Sequence, residues 1–254
     1  VKIRKVQDQL KDAGVRAEFL TKEDASEYID RYFAMDFTHK TLSMNNFKVD
    51  EECVRMGDRK CKIFSLVDVD SINLPSLVRP FANIEVNNTQ MPVDVMAAID
   101  QIPEARTVVY NQMIFIPNQK RELALLEKKK NRHASIPNPG NQMAVEDIKQ
   151  VQEVMAREGK QLVYTHYNLV VCCDSDADLQ KPTNHLENTF GRMGVHISKR
   201  AYNQLELFVN SFPGNCYGMS AEYDRFLTLG DAAACLMYKE KIQHSEDTPL
   251  KIYY

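Results

Sequence analysis

The 254-residue chain has 32 basic and 35 acidic side chains, a formal net charge of -3 and a sequence pI near 6.1. This balance excludes a global attraction to nucleic acid or to an anionic membrane, so any such binding needs a local patch. No apolar run reaches the roughly 18 residues that span a bilayer, and the first residues do not resemble a signal peptide. Six cysteines without a C-x-x-C pair predict reduced thiols in a cytoplasm and no zinc site.

The first half of the chain alternates helical and extended patterns. "TKED" resembles a capping box, with Thr21 as the N-cap and Asp24 at the third helical position. "MGDR" at residues 56–59 indicates a hairpin turn, and "VRPFANIEVNNTQMP" at residues 78–92 predicts an irregular connection. In chain order we predict a helix over residues 1–13, a strand over 15–20, a helix from Thr21 to about residue 35, an extended pair within 47–69, a short helix over 93–102 and a strand over 106–117.

The second half contains longer elements, among which "KQLVYTHYNLVVCC" at residues 160–173 is the strongest strand and is apolar enough to lie inside a sheet. We predict helices over residues 118–134 and 143–158, this strand, a helix over 177–192, a strand over 194–198, and helices over 200–210 and 227–240. The pattern predicts an α+β fold with mixed or antiparallel sheets and long helices packed mainly on one face. Two lobes are expected, over residues 1–80 and 81–254.

One stretch of the sequence resembles a metal-binding loop, and the standard nucleotide-binding loop is missing. "DSDADLQKPTNH" places Asp174, Asp176 and Asp178 at positions 1, 3 and 5 of a calcium loop, but positions 6 and 12 hold Leu179 and His185 instead of glycine and glutamate. An acidic loop before a helix is the favoured interpretation. The P-loop pattern G-x-x-x-x-G-K-[ST] is absent from the sequence, which predicts that this chain does not hydrolyse ATP by itself.

"VDVDS" contains a second pair of carboxylates, Asp68 and Asp70, which would lie on one face of a strand and could share a metal. Because no third ligand stands at a recognisable spacing, a solvated strand end is favoured over a metal-dependent hydrolase.

His166, Asn168 and Cys172 share one face of the strongest strand. The histidine and the cysteine are six residues apart, roughly 20 Å along a strand, so they cannot form a nucleophilic pair. A structural pairing of His166 is therefore predicted.

The run "EKKKNRH" offers a basic contact patch made of Lys128, Lys129, Lys130 and Arg132. No aromatic residues are interleaved for base stacking, so a solvated helix end is favoured, and a DNA-contacting patch remains the alternative.

The stretch "NSFPGNCYG" at residues 210–218 has glycines without the lysine of a phosphate loop. Pro213 and Gly214 suit the central positions of a type II turn, which Asn215 completes. Phe208 and Phe212, four residues apart, are expected to hold the preceding helix in the core.

Several segments together resemble the type IV secretion ATPases, and among these the TraG-type ATPases of conjugative transposons. They are "RMGDRKCKIFSLVDVDSINLP", "VVYNQMIFIPNQKRELALLEKKKN" and "YNQLELFVNSFPGNCYGMSAEYDRFLTLGDAAACLMYKE". The most compact shared motif is the turn formed by Phe212, Pro213, Gly214 and Asn215. The likeness covers essentially all of residues 1–254 and corresponds to the region that precedes the motor domain.

This resemblance implies a non-catalytic region that acts as a scaffold and a docking module for a protein that energises DNA transfer. It implies that the chain is a slice of a longer protein, with no cofactor of its own, since ATP and Mg²⁺ belong to the motor of the full-length protein. The implied partners are membrane subunits of a secretion channel and the protein's own motor, through which it is hexameric. The implied location is cytoplasmic, at the periphery of the inner membrane.

Overall fold

The computed structural model describes residues 2–39, 47–50, 52–57, 59–65, 82–86, 89–93, 99, 101–174, 176–192, 196–198, 203–220 and 223–234. The helices are α1 (Lys2–Asp12), α2 (Lys22–Ala34), α3 (Gln119–Ala134), α4 (Pro139–Glu158), α5 (Gln180–Arg192), α6 (Gln204–Asn210) and α7 (Gly230–Ala234). The strands are β1 (Phe47–Val49), β2 (Val54–Met56), β3 (Arg59–Ser65), β4 (Ala82–Val86), β5 (Thr89–Val93), β6 (Ala105–Phe115), β7 (Leu162–Asp174) and β8 (Phe226–Leu229).

β7 is the centre of a six-stranded antiparallel sheet with the order β1-β2-β3-β7-β6. β6 pairs with one side of β7, while β3 and β8 share the other side, β3 along residues 168–174 and β8 along residues 162–165. β4 and β5 form a separate hairpin. The α+β class with an antiparallel sheet is confirmed, as is the interior position of the strongest strand.

Both faces of this sheet carry a buried apolar cluster. One cluster contains Tyr167, Leu169 and Val171 of β7 and lies against Leu186 and Phe190 of α5. The other cluster, which we call the aromatic face, joins residues of α2, β2, β3, β7 and α6, among them Tyr32, Met35, Val54, Ile63, Val170, Leu207 and Phe208. Helices contribute to both clusters, because a strand that is apolar on both faces must bury both.

The six-stranded sheet includes strands from both sides of the predicted boundary near residue 80. The division into two lobes stays a prediction.

Three predictions of local structure are wrong. Residues 15–20 form no strand, because they lack a neighbouring strand and Val15, Phe19 and Leu20 are exposed. The predicted irregular connection at residues 78–92 contains most of the β4–β5 hairpin. Residues 227–229 extend the sheet as part of β8 instead of beginning a helix, because pairing with β7 overrides the helical pattern.

Helix starts follow the capping residues. The capping box of Thr21 and Asp24 is confirmed. α4 begins at Pro139, earlier than predicted, because Asn138 caps the helix and proline is well suited to its first position. Most of the predicted helix over 93–102 lies outside the described residues. Of the predicted strand over 194–198, residues 196–198 are described, and there Ser198 forms an isolated bridge with Ser65.

Asp36 connects the end of α2 to the sheet. Its carboxylate accepts hydrogen bonds from the backbone N–H groups of Thr38 and His39 and from the Arg59 guanidinium at 3.0 Å. Arg59 also donates to the carbonyls of Ala34 and Met35 at 2.7 and 3.0 Å, which satisfies orphan acceptors at the helix end. The pair thus anchors α2 on β3.

This anchor should weaken in acid. Burial alone would raise the pKa of Asp36, but the hydrogen bonds from His39, Thr38 and Arg59 outweigh it and hold the pKa well below its usual range. The unfolded chain then binds the proton first. The stabilisation that the Asp36 carboxylate provides at neutral pH therefore declines as the pH falls from about 5 to about 2. We expect the Asp36→Asn variant to show a shallower decline in urea-unfolding free energy over this range. Equal slopes for parent and variant would contradict the assignment.

Candidate functional site

The "NSFPGNCYG" stretch forms the predicted type II turn. Gly214 has φ +87°, and the Asn215 N–H donates to the Phe212 carbonyl at 2.9 Å across the turn. The Asn215 side chain donates back to the Val209 carbonyl at 3.0 Å. Phe212 contacts the Tyr32 ring at 5.1 Å between centroids, so the turn is fixed to the aromatic face as expected.

A buried polar network lies directly beneath this turn. Asn168 of β7 donates from Nδ2 to His166 Nε2 at 3.0 Å and to Ser211 Oγ at 2.8 Å. Its Oδ1 accepts from Asn111 Nδ2 of β6 at 2.9 Å. His166 Nδ1 lies 2.6 Å from the Asp224 carbonyl, which can only accept. The histidine therefore carries its proton on Nδ1, and Nε2 accepts from Asn168.

The structural pairing predicted for His166 is confirmed by these bonds. Both ring nitrogens are occupied and the side chain is fully buried, so His166 presents no free base to a substrate. Cys172 is also fully buried, on β7 six residues away. A hydrogen bond with Cys61 lowers the pKa of the Cys172 thiol, whereas burial raises the pKa of the neighbouring Cys173 thiol to about 11. The hydrogen bonds of the network bind the turn to the sheet.

A close contact fixes the far end of the stretch. A Cβ at Gly218 would lie 2.4 to 2.8 Å from the amide atoms of the buried Asn210 side chain. Such distances are below van der Waals contact, so only glycine fits there without moving Asn210. At Gly214, by contrast, a Cβ would have open space but a positive φ.

We therefore expect Gly218→Ala to destabilise the chain by about 1–3 kcal/mol through overpacking. The matched variant Gly214→Ala should cost about 1 kcal/mol through backbone strain alone. Urea unfolding followed by circular dichroism measures both values. A neutral Gly218→Ala variant would show that Asn210 moves freely, contrary to the packing described here.

The predicted basic residues lie on α3, which forms a helical arm together with α4. The two helices pack mainly on each other. At the base of the arm, the Gln119 side chain bonds to the backbone of Leu162 and the Tyr164 hydroxyl donates to Glu122, which connects the arm to β7. Lys130 lies between the helices, where it donates to Glu127 at 2.6 Å and to Gln152 at 3.2 Å. The structure thus assigns Lys130 to the packing of the arm.

Lys128, Lys129 and Arg132 are exposed on the outer side of the arm. Near its tip, Ile136 and Met143 are 63% and 65% exposed. Asn141 bonds to the opposite side of the tip: its Nδ2 donates to the Ile136 carbonyl at 2.6 Å, and its Oδ1 lies 2.8 Å from His133 Nδ1.

The acidic candidates do not converge. Asp174 ends β7 and pairs with Arg106 at 3.0 Å, and Asp178 accepts from the Gln180 N–H at the start of α5, as the acidic-loop interpretation predicts. Asp68 and Asp70 lie outside the described residues. Within the part of the chain that the structure describes, no group of three or more His, Cys, Asp or Glu side chains could hold a metal ion.

Among the same described residues, no helix has the length and hydropathy needed to cross a membrane. Against models of known protein families, residues 2–216 match the family described as TraC protein (TraC_F_IV). The chain belongs to the TraC protein family. No curated protein matches the chain.

The TraC match confirms the broader part of the resemblance found in the sequence, a component of conjugative transfer and type IV secretion systems. In this TraC chain the matched region ends at Cys216, just after the Pro-Gly-Asn turn. Sequence reasoning missed Asn111, Ser211 and Asp224 as partners of His166 and Asn168, since these residues are far apart in the chain. The only local signal was the polar "NS" directly before the turn.

Proposed function

We propose that this chain is the non-catalytic scaffold and docking region of a TraG-type conjugation ATPase, which energises DNA transfer through its own motor domain. The family match supports a role in conjugative transfer, and the resemblance of the Pro-Gly-Asn region supports the TraG type. The polar network supports the non-catalytic role, because its members bond to one another and to the backbone.

The helical arm carries the docking role. It presents two exposed apolar side chains, Ile136 and Met143, at a tip that a hydrogen bond from Asn141 stabilises. Exposed apolar groups on a rigid, projecting element are typical of protein-binding sites. The partner class is the set of membrane subunits of the secretion channel, with the protein at the cytoplasmic periphery of the inner membrane and hexameric through its motor.

The first experiment separates this proposal from catalysis. Isothermal titration of the 254-residue chain with ATP and Mg²⁺ should show no binding and phosphate release should be absent, because no P-loop is present in the sequence. Micromolar affinity for ATP would overturn the non-catalytic assignment.

The second experiment tests the arm in donor cells. Ile136→Asp combined with Met143→Asp should lower transfer frequency by about tenfold or more while the protein level and the ATPase rate of the full-length protein stay unchanged. Val15→Asp, at an exposed apolar residue outside the arm, is the matched control. Unchanged transfer in the double variant would remove the arm as a docking site.

A DNA-contacting module is the second candidate, since Lys128, Lys129 and Arg132 are exposed together on one helix. Lys130 must be kept in this test because it connects α3 to α4. Salt-dependent DNA binding that is lost when the three exposed residues become glutamate, but kept in the Ile136 and Met143 variant, would favour this candidate.

A further inference from the structure

α1 has an apolar stripe that is exposed among the described residues. Ile3, Val6 and Leu10 follow the spacing of one helix face and are 38–68% exposed. Within the described part of the chain, α1 forms local hydrogen bonds to the segment that follows it: Gln7 donates to the Ala17 carbonyl, and the Leu10 carbonyl accepts from Val15. An amphipathic helix with this stripe exposed has a face ready to pack on another surface.

A second apolar surface lies beside α2. Tyr28, Phe37 and Phe47, which we call the aromatic rim, are 37–44% exposed. Tyr28 contacts the Phe37 ring at 6.2 Å and Phe47 contacts Phe33 at 5.9 Å, so the rim continues into the buried aromatic face. Rings held in this way lose little side-chain entropy when a partner covers them.

The two helices carry opposite net charge. α1 contains four basic and two acidic side chains, whereas α2 contains two basic and four acidic ones. Arg4 and Lys5 are exposed at the start of α1, and Glu23 is exposed in the first turn of α2. Complementary charge around apolar patches increases the association rate and selects the partner.

We propose that α1 of one copy docks on the aromatic rim and on α2 of a second copy. The contact is head to tail, because different surfaces of the two copies meet, and such contacts build rings or chains instead of closed pairs. The occupant is a second copy because the chain itself supplies both halves of the contact, each exposed in the same molecule. This contact is additional to any contact made by a motor domain.

Reversing the charge of α1 in one variant and of α2 in another tests this contact. In the first variant Arg4→Glu and Lys5→Glu make α1 acidic, and acidic residues suit the start of a helix. In the second variant Glu23→Lys and Asp30→Lys make α2 basic, while the Thr21–Asp24 capping box and the Glu27–Arg31 pair are kept. Each variant alone then carries like charge on both surfaces, but a mixture restores opposite charge at both contacts.

Sedimentation velocity of the 254-residue chain, over about 1–100 μM at low salt, should show association that increases with concentration. Each variant alone should associate at least about tenfold more weakly, and an equimolar mixture should return to within about threefold of the parent. Ile3→Asp should weaken association, whereas Ile136→Asp, equally exposed on the arm, should not.

Three outcomes would overturn the proposal. The parent could remain monomeric over the whole range, the variants could associate like the parent, or the mixture could fail to recover. If the protection of α1 from hydrogen exchange did not increase over the concentrations at which the chain associates, α1 would not lie in the contact, which is equally incompatible. None of these outcomes bears on ATP binding or on the arm, so the proposed function is tested separately.

Discussion

Phe208→Ala is expected to lower the free energy of unfolding by about 4 kcal/mol. The Phe208 ring is fully buried and stacks on Tyr32 at 5.4 Å between centroids, with the Phe33 ring edge-on at 5.9 Å. Truncation removes this contact area and leaves a cavity between α2 and α6 that the rigid rings cannot fill. Because the chain contains no tryptophan, urea unfolding is best followed by circular dichroism.

The matched control is Phe37→Ala, where the ring is 40% exposed and contacts Tyr28 at the rim. This variant should lower the free energy of unfolding by about 1 kcal/mol, because less buried apolar area is lost and water fills the space that the ring leaves. Similar losses in the two variants would contradict the assignment of Phe208 to the centre of the aromatic face.

Asn168→Leu is expected to lower the free energy of unfolding by about 3 kcal/mol, although leucine is apolar and similar in volume to asparagine. The change leaves His166 Nε2, Ser211 Oγ and Asn111 Nδ2 without their shared partner in a buried site. Unpaired buried polar groups lose their hydration without compensation. The turn should also loosen, so amide exchange near Ser211 should accelerate.

Asn111→Leu is the control for the network, since Asn111 is half-buried and gives Asn168 one hydrogen bond. We expect the free energy of unfolding to fall by about 1 kcal/mol and amide hydrogen exchange at the turn to stay unchanged. If Asn168→Leu were as mild as Asn111→Leu, the network would not be what holds the Pro-Gly-Asn turn on the sheet.

Local signals accounted for much of the fold. The capping box at Thr21, the β-branched and aromatic run of β6 and the long apolar run of β7 each predicted their element, because they act within one turn or one strand. The Pro213–Gly214 turn was predicted with its type, since proline fixes φ and glycine alone readily adopts a positive φ. The charged run at residues 127–133 was placed on a helix, but its sequence did not distinguish the inward Lys130 from the outward Lys128, Lys129 and Arg132.

Local signals in the sequence did not predict strand β8 or the polar network. Residues 227–229 have a helical pattern on their own and become a strand only because the end of β7 offers free backbone groups. The residues of the network come together because β6 and β7 are neighbours in the sheet, and because the segment after α6 forms hydrogen bonds with β7. They are His166, Asn111, Ser211 and Asp224.

The sequence by itself determined the class of fold, the main helices and strands, the turn at Pro213–Gly214 and the likeness to conjugation proteins. These depend on short-range backbone preferences and on the period of apolar residues. Only the tertiary structure decided which residues bind His166, which lysine lies inside the arm and which apolar faces stay exposed. Those outcomes depend on contacts between segments far apart in the chain, where packing and the pairing of buried polar groups outweigh local preference.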